Sequence, residues 1–212
     1  PAEILDAGVS AALAIRTAEA AGEEVHESLR ASAGIIAPAL DAARGLMGGR
    51  IRVSISGAAP IAPAVLMFFH AAGVPVYEGY GLSESGGIGT LNVPGALEFG
   101  SIGQATDGIE VVTAPDGELL MRGGNVFAGY WKNPDATAAA LVDGWLQTGD
   151  LGSIDEAGII TITGRKKDII ITAGGKNLTP ASIENDLRRS PLISQAIMHG
   201  DRRPYPVALV TL

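Results

Sequence analysis

The sequence predicts an α/β protein in three parts: a parallel α/β stretch, a small antiparallel β subdomain, and a final α+β lobe. Three observations carry this. Between residues 51 and 81 an alternating strand, an apolar helix closed by Gly73 and a second strand follow one another, the βαβ order of a parallel sheet. After Gly89 the texture changes to short strands separated by turn signals. The only dense charge run, Gly164-Arg165-Lys166-Lys167-Asp168, then separates that stretch from a last helix and two short strands. The expected boundaries are 1–100 (helical over 1–48, βαβ over 51–100), 101–163 and 164–212.

Residues 1–48 are Ala-rich, and propensity predicts helices over 9–32 and 35–47. IRVSIS (51–56) alternates as a strand does, GAAP (57–60) turns, 61–73 forms a helix, and 74–81 is a strand running into a Gly-rich loop. Strands over 108–112 and 118–122 flank the turn Pro115-Asp116-Gly117, where Pro fixes φ and Gly permits a positive one. Asn133-Pro134-Asp135 opens a short helix to about Leu141, and strands over 145–151 and 159–163 surround a turn at 155–158. The charge run reads as a linker between two lobes, followed by a strand over 169–171 and a Gly-rich loop over 173–177. Thr179 suits a helix N-cap, with Pro180 at the first helical position and Ile183 and Leu187 on one face. Strands near 193–198 and over 206–212 finish the chain.

Composition narrows the chemistry. With 212 residues, 47% apolar and 18% charged, the chain is globular and long enough for a sizeable core. Fifteen Lys and Arg against 23 Asp and Glu give a net charge of −8, which argues against nucleic acid as a partner but not against a small anionic substrate. The absence of Cys excludes disulfides, Cys-ligated zinc, iron–sulfur clusters and thiol nucleophiles. His26, His70 and His199 are too scattered for metal-ligand spacing. No run of 18 apolar residues could form a spanning helix, and no secretory leader is visible, so the expectation is a cytoplasmic protein. A start at Pro1 without Met and a stop inside the apolar run 206–212 suggest a piece of something longer.

Four segments look chemical, each with a plain structural alternative. Ser56 and GAAP sit at the C-terminal end of a strand, where open α/β sheets bind ligands, but the same residues make an ordinary strand-to-helix turn. Tyr77-Glu78-Gly79-Tyr80-Gly81-Leu82-Ser83-Glu84 offers an aromatic face beside glycines, then a hydroxyl and a carboxylate suited to phosphate and Mg²⁺; alternatively it is a solvated turn. Gly149-Asp150-Leu151-Gly152 holds a carboxylate that could accept from a ribose diol, or from its own turn. Arg165 in the charge run brings a permanent forked donor, or merely a solubilising linker.

Taken together, GAAP, YEGYGLSES, GELLMRGGNVFAGYW, GWLQTGDLG and GRKKDIIITAGGKNLTPASIE stand in an order and at separations that resemble the adenylate-forming superfamily of acyl-CoA and aryl-CoA synthetases, adenylation domains and luciferases. VYEGYGLSE, GGNVFAGYW and GRKKDIIITAGGKNLTP are similar to the long-chain fatty acid–CoA ligase branch. The resemblance implies the adenylate-forming fold and a two-step reaction. A carboxylic acid and ATP give an acyl-adenylate and pyrophosphate, and the acyl group then passes to the CoA thiol. ATP or AMP, Mg²⁺ and CoA are the implied cofactors and co-substrates, with a fatty acid as substrate.

The same resemblance assigns residues. Gly57, Ala58, Ala59 and Pro60 would line the adenine, with Glu78, Gly79, Gly81 and Leu82 around the nucleotide and Tyr80 against the ring. Ser83 (more often Thr in the family) would contact phosphate and Glu84 would hold Mg²⁺, the two acting in catalysis. Asp150 and Arg165 would bind the ribose, Ile162 would pack on the nucleoside, and Lys167 would fall at the hinge of a rotating C-terminal lobe. Gly174, Gly175 and Lys176 would contact CoA. The family's Gly-rich phosphate loop and the Lys of its adenylation step have no counterpart in these residues, so the expectation is a fragment inactive, or nearly so, by itself. Another acid (aryl, medium-chain or amino), or a non-catalytic nucleotide-binding module, are the competing readings. Long-chain substrates partition into bilayers, which would suit peripheral membrane contact, though no basic amphipathic helix demands it.

Overall fold

The structure, a computed structural model, describes residues 2–188, 190 and 192–212; Pro1 lies outside them. The chain forms two compact units. One runs to Gly79 and includes Asn92–Gly100; the other comprises Tyr80–Leu91 and Ser101–Leu212.

The first unit starts with α1 (Ala2–Ala21) and α2 (Glu27–Leu46). The single helix expected over 9–32 is therefore two. The chain leaves α1 at Gly22, and His26, in an extended conformation, caps α2 by accepting from the Ser28 N–H. The helix expected over 35–47 is the second half of α2. Next come β1 (Ser54–Ser56), α3 (Pro63–Ala71) and β2 (Val76–Tyr80), whose last residue begins the second unit. β1 and β2 pair in parallel, Ser54 opposite Val76 and Ser56 opposite Glu78, as the βαβ pattern requires. β1 is shorter than the expected 51–56 because only its last three residues meet β2. Val9, Ala12, Ile36, Leu40, Ala71 and Ala72 form the core where the three helices meet.

The second unit is mostly antiparallel. In chain order it contains β3 (Thr90–Leu91), β4 (Gln104–Ala105), β5 (Ile109–Thr113), β6 (Glu118–Gly123), α4 (Pro134–Ala140), β7 (Leu141–Val142), β8 (Trp145–Ile154) and β9 (Ile160–Arg165). β3 pairs with β4. The main sheet runs β5-β6-β8-β7, and β9 also pairs with β8. Asn133 caps α4 by accepting from the Ala136 N–H, with Pro134 at the first helical position. Leu119, Met121, Leu146 and Ile160 are fully buried. β9 continues two residues past the expected end, so Gly164 and Arg165 are strand rather than linker, and Lys166–Asp168 make a single 3₁₀ turn. β10 (Ile170–Ile171), β11 (Asn177–Leu178), α5 (Pro180–Arg188) and the hairpin of β12 (Gln195–His199) and β13 (Val207–Thr211) follow. Among the described residues no helix is long and apolar enough to cross a membrane.

Candidate functional site

The centre of the site follows from the pleat of β8. Side chains alternate along a strand, and Leu146, Thr148 and Asp150 all fall on its buried face. Asp150 is thereby only 3% exposed, a placement a carboxylate tolerates only with partners. It has two. Opposite it on β9, Arg165 donates from Nε to Oδ1 at 2.8 Å, and the Tyr80 hydroxyl, at the end of β2, donates to Oδ2 at 2.6 Å. Burial and the Asp150 carboxylate both push the Tyr80 phenol upward, so it is a donor throughout the physiological range. Thr148 braces this part of β8, donating to the Leu119 carbonyl on β6 at 2.6 Å and accepting from the Asp150 N–H at 3.1 Å.

Glu84 lies in a 3₁₀ turn, Ser83–Ser85, directly after Tyr80-Gly81-Leu82. Gly81 makes this sharp return feasible: a Cβ there would sit 2.5 Å from the Gly87 carbonyl oxygen. The Glu84 carboxyl is held below the usual carboxylate range, chiefly by the Tyr130 hydroxyl and also by the charge of Arg165. Glu84 is thus within electrostatic reach of the cation that grips Asp150. Of the residues singled out in the sequence, Tyr80, Asp150 and Arg165 are in direct contact, and Glu84 lies in the same unit on the turn that follows Tyr80.

A metal fits this donor set in one particular way. The described residues contain no group of three or more His, Cys, Asp or Glu able to hold an ion. One partly exposed carboxylate is instead the contribution Mg²⁺ takes when its other ligands are waters and substrate phosphates.

The other expected residues are distributed as follows. Ser83 is exposed beside Glu84. Leu82 anchors the turn, its carbonyl accepting from the Ser85 and Gly87 N–H groups. Ile162 is half-buried on β9 opposite Gly152. Lys167 and Arg165 line an open hollow of about 380 Å³ together with Thr148, Gly149 and Lys166. Gly174, Gly175 and Lys176 form an exposed loop closed by Thr172 Oγ1, which accepts from the Lys176 N–H at 3.1 Å.

Gly57, Ala58, Ala59 and Pro60 follow β1 in the first unit. There Gly57 packs on the Gly79 carbonyl, which a Cβ would approach to 2.8 Å. Glu78 is buried beside them, one oxygen 3.5 Å from the Ile61 N–H and the other, Oε2, making no hydrogen bond of ordinary geometry among the described residues. Burial pushes its carboxyl up, against the pull of the Ile61 and Gly100 N–H groups. A pKa raised on folding contributes stability below the unfolded pKa and loses it as pH rises through the folded value. Glu78→Gln, uncharged throughout, is therefore expected to melt a few degrees above wild type in neutral buffer and to converge with it in acid. Scanning calorimetry at the two ends checks this, and equal melting at neutral pH would contradict it.

Sequence reading missed three participants. Tyr130 and Asn125 sit inside GGNVFAGYW without an assigned role, yet both contact the Glu84 loop. Lys166, in the charge run, reads from the sequence as linker. Its ammonium instead lies 2.6 Å from Asp116 and 2.8 Å from the buried Glu118, whose other oxygen accepts from the Gly149 N–H beside Asp150. The Asn between paired glycines and the aromatic run after it were the available signals for the first two.

Known proteins share this arrangement of segments. The AMP-binding enzyme profile matches residues 11–131, and the AMP-binding enzyme C-terminal domain profile matches 167–212. Over 169 residues the chain is 50% identical to the long-chain-fatty-acid–CoA ligase FadD15 of Mycobacterium bovis, covering 80% of this chain and 28% of that protein. Over 168 residues it is 42% identical to the Homo sapiens long-chain-fatty-acid–CoA ligase 6, covering 73% of this chain and 24% of that protein. It is also similar to the solved o-succinylbenzoate coenzyme A synthetase MenE of Bacillus subtilis in complex with ATP and magnesium ion. That match has a TM-score of 0.70 and 30% identity, and covers 76% of this chain and 37% of the other. The match thus spans little more than a quarter of the mycobacterial ligase.

Proposed function

Because the chain belongs to the AMP-binding enzyme family, we propose that it is the nucleotide-handling part of an AMP-forming acyl-CoA synthetase that activates long-chain fatty acids. The observation that carries this is the Asp150 carboxylate held between Tyr80 and Arg165, with Glu84 on the turn that follows Tyr80. In this reading Asp150 accepts from the ribose hydroxyls and Arg165 donates to the same sugar. The Tyr80 ring lies along the adenine, with Gly81 and Leu82 around the nucleotide and Ile162 packing on the nucleoside. Ser83 donates to phosphate.

Glu84 is the residue that would hold Mg²⁺, which when bound neutralises charge on the phosphates. The remaining chemistry needs no side-chain nucleophile. A carboxylate is a poor electrophile, and joining it to AMP supplies the leaving group. Fixed donors then stabilise charge developing on the α-phosphate. Lys167, exposed just after β9, is the proposed hinge about which residues beyond it turn to present CoA past Gly174, Gly175 and Lys176. On this reading 1–100 is the partial adenylation subdomain, 101–163 the β-rich one, and 164–212 the hinge with part of the C-terminal lobe. The setting would be cytoplasmic, with peripheral contact to the lipid surfaces that hold the acids.

The test is the whole gene product incubated with ATP, CoA and a panel of acids. AMP and thioester are expected with long-chain acids, whereas release of no AMP with any acid would overturn the reading. The 212 residues alone are expected to bind AMP weakly and to turn over little or nothing.

A further inference from the structure

Glu84 is gripped at both its backbone and its carboxylate by one segment distant in sequence. The Asn125 amide nitrogen donates to the Ser85 carbonyl at 3.0 Å and to the Ile88 carbonyl at 2.9 Å, spanning the loop that follows Glu84. Two residues on, the Phe127 N–H donates to the Glu84 carbonyl at 2.8 Å. Three further on, the Tyr130 hydroxyl donates to Glu84 Oε1 at 2.5 Å. Tyr130 is itself fixed from two sides. Its N–H donates at 2.9 Å to Thr137 Oγ1, which donates at 2.9 Å to the Asn133 carbonyl at the start of α4. Its ring stands edge-on to Phe127, centroids 4.8 Å apart.

We propose that Tyr130 is a positioning residue for Glu84, its hydroxyl holding the carboxylate in the orientation that receives the cation of a metal–nucleotide complex. Glutamate has three side-chain torsions and loses freedom when it takes a ligand, and an anchor built on a packed two-torsion aromatic removes that freedom beforehand. The anchor costs little ligand capacity. A carboxylate has about four lone-pair sites, and one hydrogen bond leaves the rest for the ion. Asn125 and Phe127 set the height of the turn, and Tyr130 sets the direction of the side chain. A role confined to fold stability would not need the hydroxyl, because Tyr130 is 39% exposed and water would serve it equally.

This inference rests on the nucleotide reading above, and the experiment separates the two. ATP binding to the whole gene product is measured calorimetrically with Mg²⁺ and with chelator, for wild type, Tyr130→Phe, Glu84→Gln and the double variant. Wild type is expected to bind more tightly with the metal. Tyr130→Phe should reduce that gain about fivefold while leaving the metal-free Kd and the melting temperature as they were. Glu84→Gln should remove the gain, and adding Tyr130→Phe to it should change nothing further. A Tyr130→Phe protein that keeps the full gain overturns the positioning role and leaves the nucleotide site standing, as does one weakened equally with and without metal. A wild type that binds ATP neither way sinks the nucleotide reading and this inference with it.

Discussion

Glu84→Ala in the whole gene product is expected to slow acid-dependent pyrophosphate release by ~10²-fold or more, equivalent to about 2.7 kcal/mol of lost transition-state stabilisation. The structure gives reasons to expect a loss in rate rather than in folding. Glu84 is partly exposed, and its side-chain hydrogen bond is to Tyr130, which is also partly exposed, so truncation opens no core cavity. Surface changes of this kind shift stability by about 0.5 kcal/mol or less. Activity and melting temperature should therefore separate widely. Were Glu84 only a turn residue, the two would move together and slightly. Release at the wild-type rate would remove Glu84 from the reaction, whatever happened to stability.

What the sequence could disclose was set by how local the determining interactions are. The parallel βαβ segment was legible because its strand, helix and stop signal at Gly73 are consecutive, and β1 and β2 pair as that order implies. The break between α1 and α2 was not: Gly22 is followed by Glu23 and Glu24, good helix formers, and propensity cannot see that the chain turns there. β3, β4 and β7 are two residues each, too short to show a period, and exist only through their partners. In the site, Asp150 stood out by its flanking glycines. That it would be buried follows from the alternation of β8, and that Tyr80 and Arg165 would both reach it does not. Tyr130 and Glu84 are 46 residues apart, and Lys166 is 50 from Asp116, separations over which no spacing rule operates. The charge run looked like a solvated linker because most such runs are. Lys166 departs from that because β9 delivers it beside Asp116 in a turn and Glu118 at the start of β6.

Asp150 allows folding and binding to be pulled apart by two substitutions at one position. Asp150→Ala removes both acceptors at once. The Arg165 side chain, about half exposed, can turn to water, but the buried side of the Tyr80 hydroxyl loses its partner, at a cost of about 1–3 kcal/mol. Asp150→Asn is gentler on the fold, since the amide oxygen still accepts from Tyr80, yet it is no better for the ligand. It abolishes the charge and turns an NH₂ toward the Arg165 Nε, donor against donor. In the free protein Tyr80 and Arg165 each use one lone-pair site of the carboxylate, so acceptors remain for a ribose diol. Two hydrogen bonds to a charged acceptor contribute about 1.5–3 kcal/mol each, so their loss should weaken AMP binding by ~10²-fold or more in both variants. Asp150→Asn should therefore melt nearer wild type than Asp150→Ala does while binding AMP as poorly. Calorimetric titration with AMP beside thermal melting reads both quantities. An Asn variant that binds AMP like wild type would show Asp150 to be a structural clamp on Tyr80 and Arg165, with the ribose held elsewhere.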